Sequence, residues 1–158
     1  MKKIDDIISK TLYYFLGFLM FVMVVVISAQ VISRYLFSSP FTWTEELGRY
    51  VFVWLTFLGM AYAVKTGGHI ALDLLLRGLT GKAEKSLGTL IYFLIGIFGV
   101  LFTIGGIKLM ALGIGQTSPS LSLPMEIIYL VMPISGILIV YFVIRLIMTK
   151  NTKEEEGI

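Results

Sequence analysis

The sequence predicts an all-α integral membrane protein with four transmembrane helices. Of its 158 residues, 57% are hydrophobic and only 15% are charged, whereas an ordinary soluble domain has about 45–50% and about 25%. The mean hydropathy of +0.90 leaves too little polar surface to cover a soluble core. Long runs without a charged residue, close to the length that crosses a hydrocarbon core of about 30 Å, indicate that lipid is the solvent.

The first and third predicted helices are the plainest spans. Residues 11–33 and 86–107 contain no charged side chain, and about 20 apolar residues in a helix are enough to cross a membrane. These helices are predicted at about 11–34 and 84–113. The first apolar run is too long for a signal peptide and no A-x-A-like cleavage site follows it, so we expect it to be retained.

The second predicted helix has to include charged residues. Its charge-free part, residues 50–64, is too short to span alone, so the helix is predicted to begin upstream and to cover about 43–66. Thr42 and Glu45 have the capping-box spacing that marks a helix start. The glycines at 67 and 68 provide a stop signal.

The last predicted helix covers about 124–148 and contains Pro133. Proline has no backbone N–H, so the carbonyl of Tyr129 loses its partner and a kink is expected. The polar loop before this helix, rich in Gly, Ser and Pro, ends the third helix. The four helices together predict a single membrane domain over residues 1–158.

The distribution of basic residues predicts the orientation. Ten of the thirteen Lys and Arg residues fall in the N-terminus, in the loop from 65 to 85 or in the C-terminus. The positive-inside rule therefore places both termini and this middle loop in the cytoplasm. In a bacterium the other two loops would face the periplasm, and the protein would be a multi-pass protein of the inner membrane.

Composition also excludes several functional classes. The chain has no cysteine and one histidine, His69, so thiolate metal sites and a bis-histidine haem are excluded within one chain. The basic residues are scattered rather than clustered, which argues against nucleic-acid binding. The middles of the first, third and last helices carry no ionisable residue, whereas a membrane protein that moves solute normally needs one. We therefore expect no enzyme, no cofactor and no metal site.

The start of the second helix is the densest polar feature of the sequence. Glu45 and Glu46 precede Arg49 by four and three residues, so that one arginine can lie between two carboxylates. Trp43 and Trp54 lie on an adjoining helical face, as in an interfacial aromatic belt. These five residues are interpreted either as membrane-boundary anchors or as a docking surface for a partner protein.

Two further patterns are candidates for packing surfaces. In the middle loop, His69, Asp73 and Arg77 recur every four residues and predict an amphipathic segment with a narrow polar stripe, lying on the membrane surface or against another helix. His69 is more typical of a structural partner for Asp73 than of a metal ligand. In the third helix a stripe of small residues falls within an arc of roughly 80° and should meet a helix of this chain or of a partner: Gly88, Gly96, Gly99, Thr103 and Gly106.

In their order and spacing, several strings resemble the DctQ-type small permease subunit of tripartite ATP-independent periplasmic (TRAP) transporters. The resemblance covers nearly the whole chain, and its strings are Trp43-Thr44-Glu45-Glu46-Leu47-Gly48-Arg49, Trp54, Phe57-Leu58-Gly59-Met60-Ala61, Gly68-His69-Ile70-Ala71-Leu72-Asp73, Gln116-Thr117-Ser118, Leu121, Leu123-Pro124, Tyr129 and Met132-Pro133-Ile134.

The resemblance implies a noncatalytic scaffold for a large DctM-type permease, which would carry the substrate and sodium sites. Given where this sequence stops, we expect that permease to be a separate polypeptide. A periplasmic binding protein would deliver C4-dicarboxylates, sialic acid or similar organic acids. The resemblance also favours docking over anchoring for Glu45, Glu46 and Arg49, with the large subunit, the binding protein or membrane lipid as the contact. The alternatives are an autonomous homo-oligomeric exporter or channel and a membrane redox subunit, which one histidine per chain disfavours.

Overall fold

The computed structural model describes residues 2–36, 41–66 and 82–155, and side chains at 3–36, 41–66 and 86–148. The described helices are α1 (Lys2–Leu36), α2 (Thr42–Thr66), α3 (Lys82–Leu112), α4 (Met125–Tyr129) and α5 (Val131–Glu155). Within these ranges four segments are long and apolar enough to cross a membrane, the last formed by α4 and α5 together. The prediction of an all-helical protein with four spans is confirmed.

The helices differ from the predicted ones mainly at their polar ends. α1 begins at Lys2 rather than near residue 11, and α5 continues to Glu155 rather than to about 148. A charge-free run measures only the part of a helix that lies in lipid, and a helix can continue beyond it where no Gly or Pro intervenes. Asp5 in the first turn of α1 also suits the positive end of the helix dipole.

The last span is interrupted at Leu130, between α4 and α5. Leu130 itself has helical φ and ψ of −56° and −27°, so the two helices follow one another within one span. The interruption lies next to Tyr129, whose carbonyl would have bonded the N–H that Pro133 lacks. The position agrees with the kink expected from the proline.

The helices lie in a row in which α2 and α5 are central. α1 packs mainly on α2, α2 packs on α5, and α5 packs on α3. One buried cluster joins Leu19, Leu58 and Phe142 of α1, α2 and α5, and a second includes Tyr92 and Ile139 of α3 and α5. In the most apolar stretch of the α4–α5 span 44% of residues are buried, against 11% in α1, so α1 is the helix that leaves most of its surface to lipid or to partners.

The stripe of small residues on α3 faces α5 of the same chain. A Cβ atom on Gly106 would lie 2.7 Å from Cδ of Pro133, and one on Gly99 would lie 2.9 Å from Cγ2 of Val140. Thr103 donates a hydrogen bond of 2.8 Å to the Gly99 carbonyl. Gly96 makes looser contact and Gly88 is buried. Missing side chains therefore let the two helices approach closely.

The row has two ends, which we name by their contents. The loop end carries residues 41–50 and 112–126, and the terminal end carries residues 3–10 and Lys65. At the terminal end the Lys65 ammonium contacts the hydroxyl of Ser9 and lies 3.7 Å from Asp5 Oδ2. It also lies 5.9 Å from the centre of the Phe142 ring. This ion pair was not predicted, because it requires α1 to start before residue 5.

The amphipathic segment predicted between the second and third helices, with the polar stripe of His69, Asp73 and Arg77, lies outside the described residues.

Candidate functional site at the loop end of α2

The connection between α3 and α4 folds into a compact loop at residues 113–124. We call it the outer loop, after the side of the membrane that the positive-inside rule predicts for it. Its two sides are joined by the hydrogen bonds from Ser118 N–H to the Leu123 carbonyl, 2.9 Å, and from Met125 N–H to the Gln116 carbonyl, 2.9 Å. Gly115 has a positive φ of 77°, which glycine adopts at little cost. Backbone bonding thus makes the outer loop a defined surface rather than an open connection.

Glu46 of α2 fastens the outer loop to the helix row. Its Oε2 atom accepts hydrogen bonds from the backbone N–H groups of Ser120, 2.7 Å, and Leu121, 3.2 Å. Its Oε1 atom accepts a hydrogen bond of 2.7 Å from the Tyr50 hydroxyl. The Glu46 side chain is buried, with 8% of the residue exposed. Both of its oxygen atoms are therefore used within the chain.

Tyr50 extends this contact to the start of the last span. Its hydroxyl lies 3.7 Å from the sulfur of Met125, the first residue of α4. The glutamate and the tyrosine occupy successive turns of one face of α2, four residues apart. One face of α2 thus holds both the outer loop and the entry to α4.

Glu45 and Arg49 form a separate, exposed ion pair. Arg49 Nη2 lies 3.0 Å from Glu45 Oε1, and 66% and 64% of the two side chains are exposed. Such a pair contributes less than about 1 kcal/mol to stability because water competes for both groups. The expectation that Arg49 lies between both carboxylates is wrong: Glu46 turns to the loop, where its burial is compensated by three donors.

The start of α2 also differs from the predicted capping box. In the described part of the chain Glu45 contacts Arg49, while the Thr44 hydroxyl donates a hydrogen bond of 2.7 Å to the Phe41 carbonyl. The helix begins at Thr42, so Phe41 rather than Thr42 occupies the cap position. The ion pair with Arg49 draws the Glu45 carboxylate along the helix and away from its start.

The aromatic residues of the predicted surface separate into two places. Trp43 is exposed and its ring lies 6.2 Å from that of Phe41 in a stacked arrangement. Trp54 is partly buried between α1 and α2, where its ring meets the edge of Phe15 at 6.4 Å. Of the five predicted interface residues, Trp43, Glu45 and Arg49 are therefore exposed at the loop end, with Trp43 on a different side of α2 from the ion pair. Glu46 and Trp54 face the interior.

The role of Glu46 was missed by sequence reasoning. The contact joins residues 74 positions apart, and it depends on backbone N–H groups that no residue type announces. The available signal was only general: a loop has backbone N–H groups outside regular secondary structure, and those that become buried need an acceptor.

Comparison with known proteins places the whole chain in context. The family model "Tripartite ATP-independent periplasmic transporters, DctQ component" matches residues 23–151. A TRAP transporter small permease protein of Haemophilus influenzae is 29% identical over 150 residues, which are 94% of this chain and 93% of that protein.

Two relatives carry substrate names. The C4-dicarboxylate TRAP transporter small permease protein DctQ of Rhodobacter capsulatus is 31% identical over 63% of this chain and 44% of that protein. The sialic acid TRAP transporter permease protein SiaT of Haemophilus influenzae is 34% identical over 52% of this chain. The matched region is only 14% of SiaT, so the similarity concerns one part of a much larger permease.

Proposed function

Because the chain belongs to the DctQ component family of tripartite ATP-independent periplasmic transporters, we propose that it is the noncatalytic scaffold of such a transporter in the bacterial inner membrane. It supports a large DctM-type permease and helps dock a periplasmic binding protein. The names of its relatives favour organic acids such as C4-dicarboxylates or sialic acid as the transported substrate. Substrate and sodium sites belong to the large permease, and this chain needs no cofactor of its own.

The observation that carries this proposal is where the charged groups lie. The described spans have no charged residue between residues 11 and 33, 50 and 64, 86 and 107, or 127 and 144. Ion-coupled transport of a carboxylate needs polar or charged partners near the middle of the membrane. The buried carboxylate at the loop end, Glu46, has both of its oxygen atoms engaged by this chain itself. A supporting role is the function that this distribution favours.

The exposed residues at the loop end form the proposed docking surface. Trp43, Glu45 and Arg49 combine an aromatic ring with two charges of opposite sign, and aromatic residues and arginine are enriched in protein interfaces. The outer loop lies beside them and is held by Glu46. A loop that is already ordered costs less conformational entropy when a partner binds.

The test of this proposal is coexpression of the chain with the large permease and the binding protein. Arg49→Glu places two like charges at the exposed pair, and we expect it to reduce recovery of the assembled transporter on a tag carried by this chain. Lys108→Glu is the matched control, because it reverses another exposed charge on α3. Equal recovery with both variants contradicts the docking role of Arg49, and a homo-oligomer that never retains the permease favours an autonomous exporter instead.

The cytoplasmic location of both termini is part of the same proposal. The chain has no cysteine, so single cysteines at exposed positions report on sidedness without a background. Thr117→Cys in the outer loop should react with an impermeant maleimide in intact cells, whereas Lys3→Cys should react only after lysis. Labelling of Lys3→Cys in intact cells contradicts the orientation.

A further inference from the structure

An open groove of about 560 Å³ runs between α1 and α2 in the terminal half of the row. Gly17 and Gly59 both line it, and a Cβ atom on either glycine would meet no atom within 4 Å. Tyr13, Tyr14 and Tyr62 line it toward the terminal end. The groove is therefore apolar and unfilled beside the two glycines and carries hydroxyl groups toward the terminal end.

The tyrosine hydroxyls are available to a ligand. The Tyr13 ring lies 5.6 Å from that of Tyr14 and 6.1 Å from that of Tyr62, so the three rings form one group. Among the described residues no hydrogen bond is made by any of the three hydroxyls. Tyrosine combines an apolar ring with a polar tip, which suits the boundary between hydrocarbon and headgroups.

Charged side chains of α1 continue the groove toward the terminal end in a definite order. Lys10 lies three and four residues before the two tyrosines of α1, and Asp6 lies four residues before Lys10, so all are on one face of the helix. Both side chains are exposed, and neither forms an ion pair within the described ranges. Asp5 and Lys65 at this end are paired with each other, and the exposed Lys3 lies farther out.

We propose that this groove binds one zwitterionic aminophospholipid. An acyl chain lies over Gly17 and Gly59, the phosphate is bound by Lys10 and the tyrosine hydroxyls, and the headgroup ammonium is bound by Asp6. The order along α1 is apolar, then positive, then negative, which is the order of acyl chain, phosphate and ammonium in such a lipid.

Charge complementarity selects this occupant over two others. Phosphatidylglycerol lacks the ammonium that Asp6 would bind, and its net negative charge would be repelled by this carboxylate. An apolar helix from a partner protein would fill the groove beside the glycines but would supply neither an anion for Lys10 nor a cation for Asp6. The inference requires only that the chain is embedded in a membrane, so it does not depend on the proposed transport role.

The first test measures lipid retained by the full-length chain after extraction from bacterial membranes in a mild detergent, by native mass spectrometry. We expect the unmodified chain to retain one phosphatidylethanolamine. Lys10→Gln should lower this retention about tenfold, as for loss of one hydrogen bond to a charged group. The control Lys108→Gln removes an exposed lysine from α3 near the loop end and should leave retention unchanged.

Two further variants test the acyl and ammonium contacts. Gly17→Leu combined with Gly59→Leu fills the groove and should abolish retention, whereas Gly105→Leu, also in open space, should not. Asp6→Asn should shift the retained lipid from phosphatidylethanolamine to phosphatidylglycerol.

Three results overturn the proposal: no retained phospholipid in the unmodified chain, equal retention in Lys10→Gln and Lys108→Gln, or an unchanged lipid in Asp6→Asn. A fourth is unchanged lipid retention in the glycine double variant, because the acyl chain then does not lie in the groove. Thermal unfolding of each variant establishes that it is folded before its lipid is measured.

Discussion

Replacing Glu46 by glutamine should loosen the outer loop while leaving the helix row in place. The carboxylate accepts two backbone N–H groups and one hydroxyl, at 2.7, 3.2 and 2.7 Å. If the single acceptor oxygen of the amide keeps the two loop N–H groups, its NH2 group can donate to the Tyr50 hydroxyl, and the two loop bonds lose the negative charge of their acceptor. A hydrogen bond to a charged group contributes about 1.5–3 kcal/mol and one between neutral groups about 0.5–1.5 kcal/mol, so each loop bond weakens by about 1–2 kcal/mol. Because Ser120 is exposed and water can replace part of the contact, we expect a loss of about 2 kcal/mol in the opening free energy of the loop.

Amide hydrogen exchange measures this loss directly. A decrease of about 2 kcal/mol corresponds to roughly 30-fold faster exchange at the amides of Ser120 and Leu121. The control is Glu45→Gln, which makes the same chemical change one residue away in an exposed pair and should alter exchange at these amides less than about twofold. Equal exchange in the two variants would refute the assignment of Glu46 as the residue that fastens the loop.

Three other substitutions test the packing of the row. Gly106→Ala places a Cβ 2.7 Å from the neighbouring span and should lower the free energy of unfolding, measured by reversible unfolding in detergent micelles, by about 1–3 kcal/mol. The control Gly105→Ala, in open space, should leave this free energy equal or higher. Equal losses in the two variants contradict the close approach of the helices. Ser122→Gly relieves a positive φ of 51° at a non-glycine residue and should raise the thermal midpoint, with a lowered midpoint as the adverse result. The ion pair at the terminal end is tested by Asp5→Asn and Lys65→Met, each of which should destabilise the protein. A double-mutant cycle of the two should give a coupling energy of about 1 kcal/mol or less. Strictly additive effects would mean that the ion pair does not stabilise the terminal end.

Most of the spans could be predicted from the length of their charge-free runs. A run such as 11–33 has no charged residue over the length of the hydrocarbon core, whatever it packs against. The second span, with only residues 50–64 free of charge, also needed the start and stop signals beside it. The ends of the helices were less predictable, because residues 2–10 lie outside the charge-free run and polar residues there allow a helix as readily as a coil. α1 therefore extends nine residues farther than its apolar run indicates.

The candidate site was predicted only in its local part. Spacing along one helix relates Glu45 to Arg49, and their ion pair is present. Similar spacing placed Glu46 beside Arg49, but the buried Glu46 carboxylate is instead hydrogen-bonded by backbone N–H groups of the outer loop. These groups lie 74 or more residues away in sequence. Small residues such as Gly106 likewise indicated a close helix contact, while the identity of the partner helix became clear only from the fold.

The central claim is that this chain supports transport without performing it, and sodium-driven uptake in proteoliposomes tests it most directly. Vesicles are prepared with this chain alone, with the large permease alone and with both, each with the binding protein and a labelled carboxylate such as succinate or sialic acid. We expect no uptake by this chain alone and sodium-dependent uptake only when both membrane proteins are present. Sodium-driven accumulation in vesicles that contain this chain as their sole membrane protein would contradict the account.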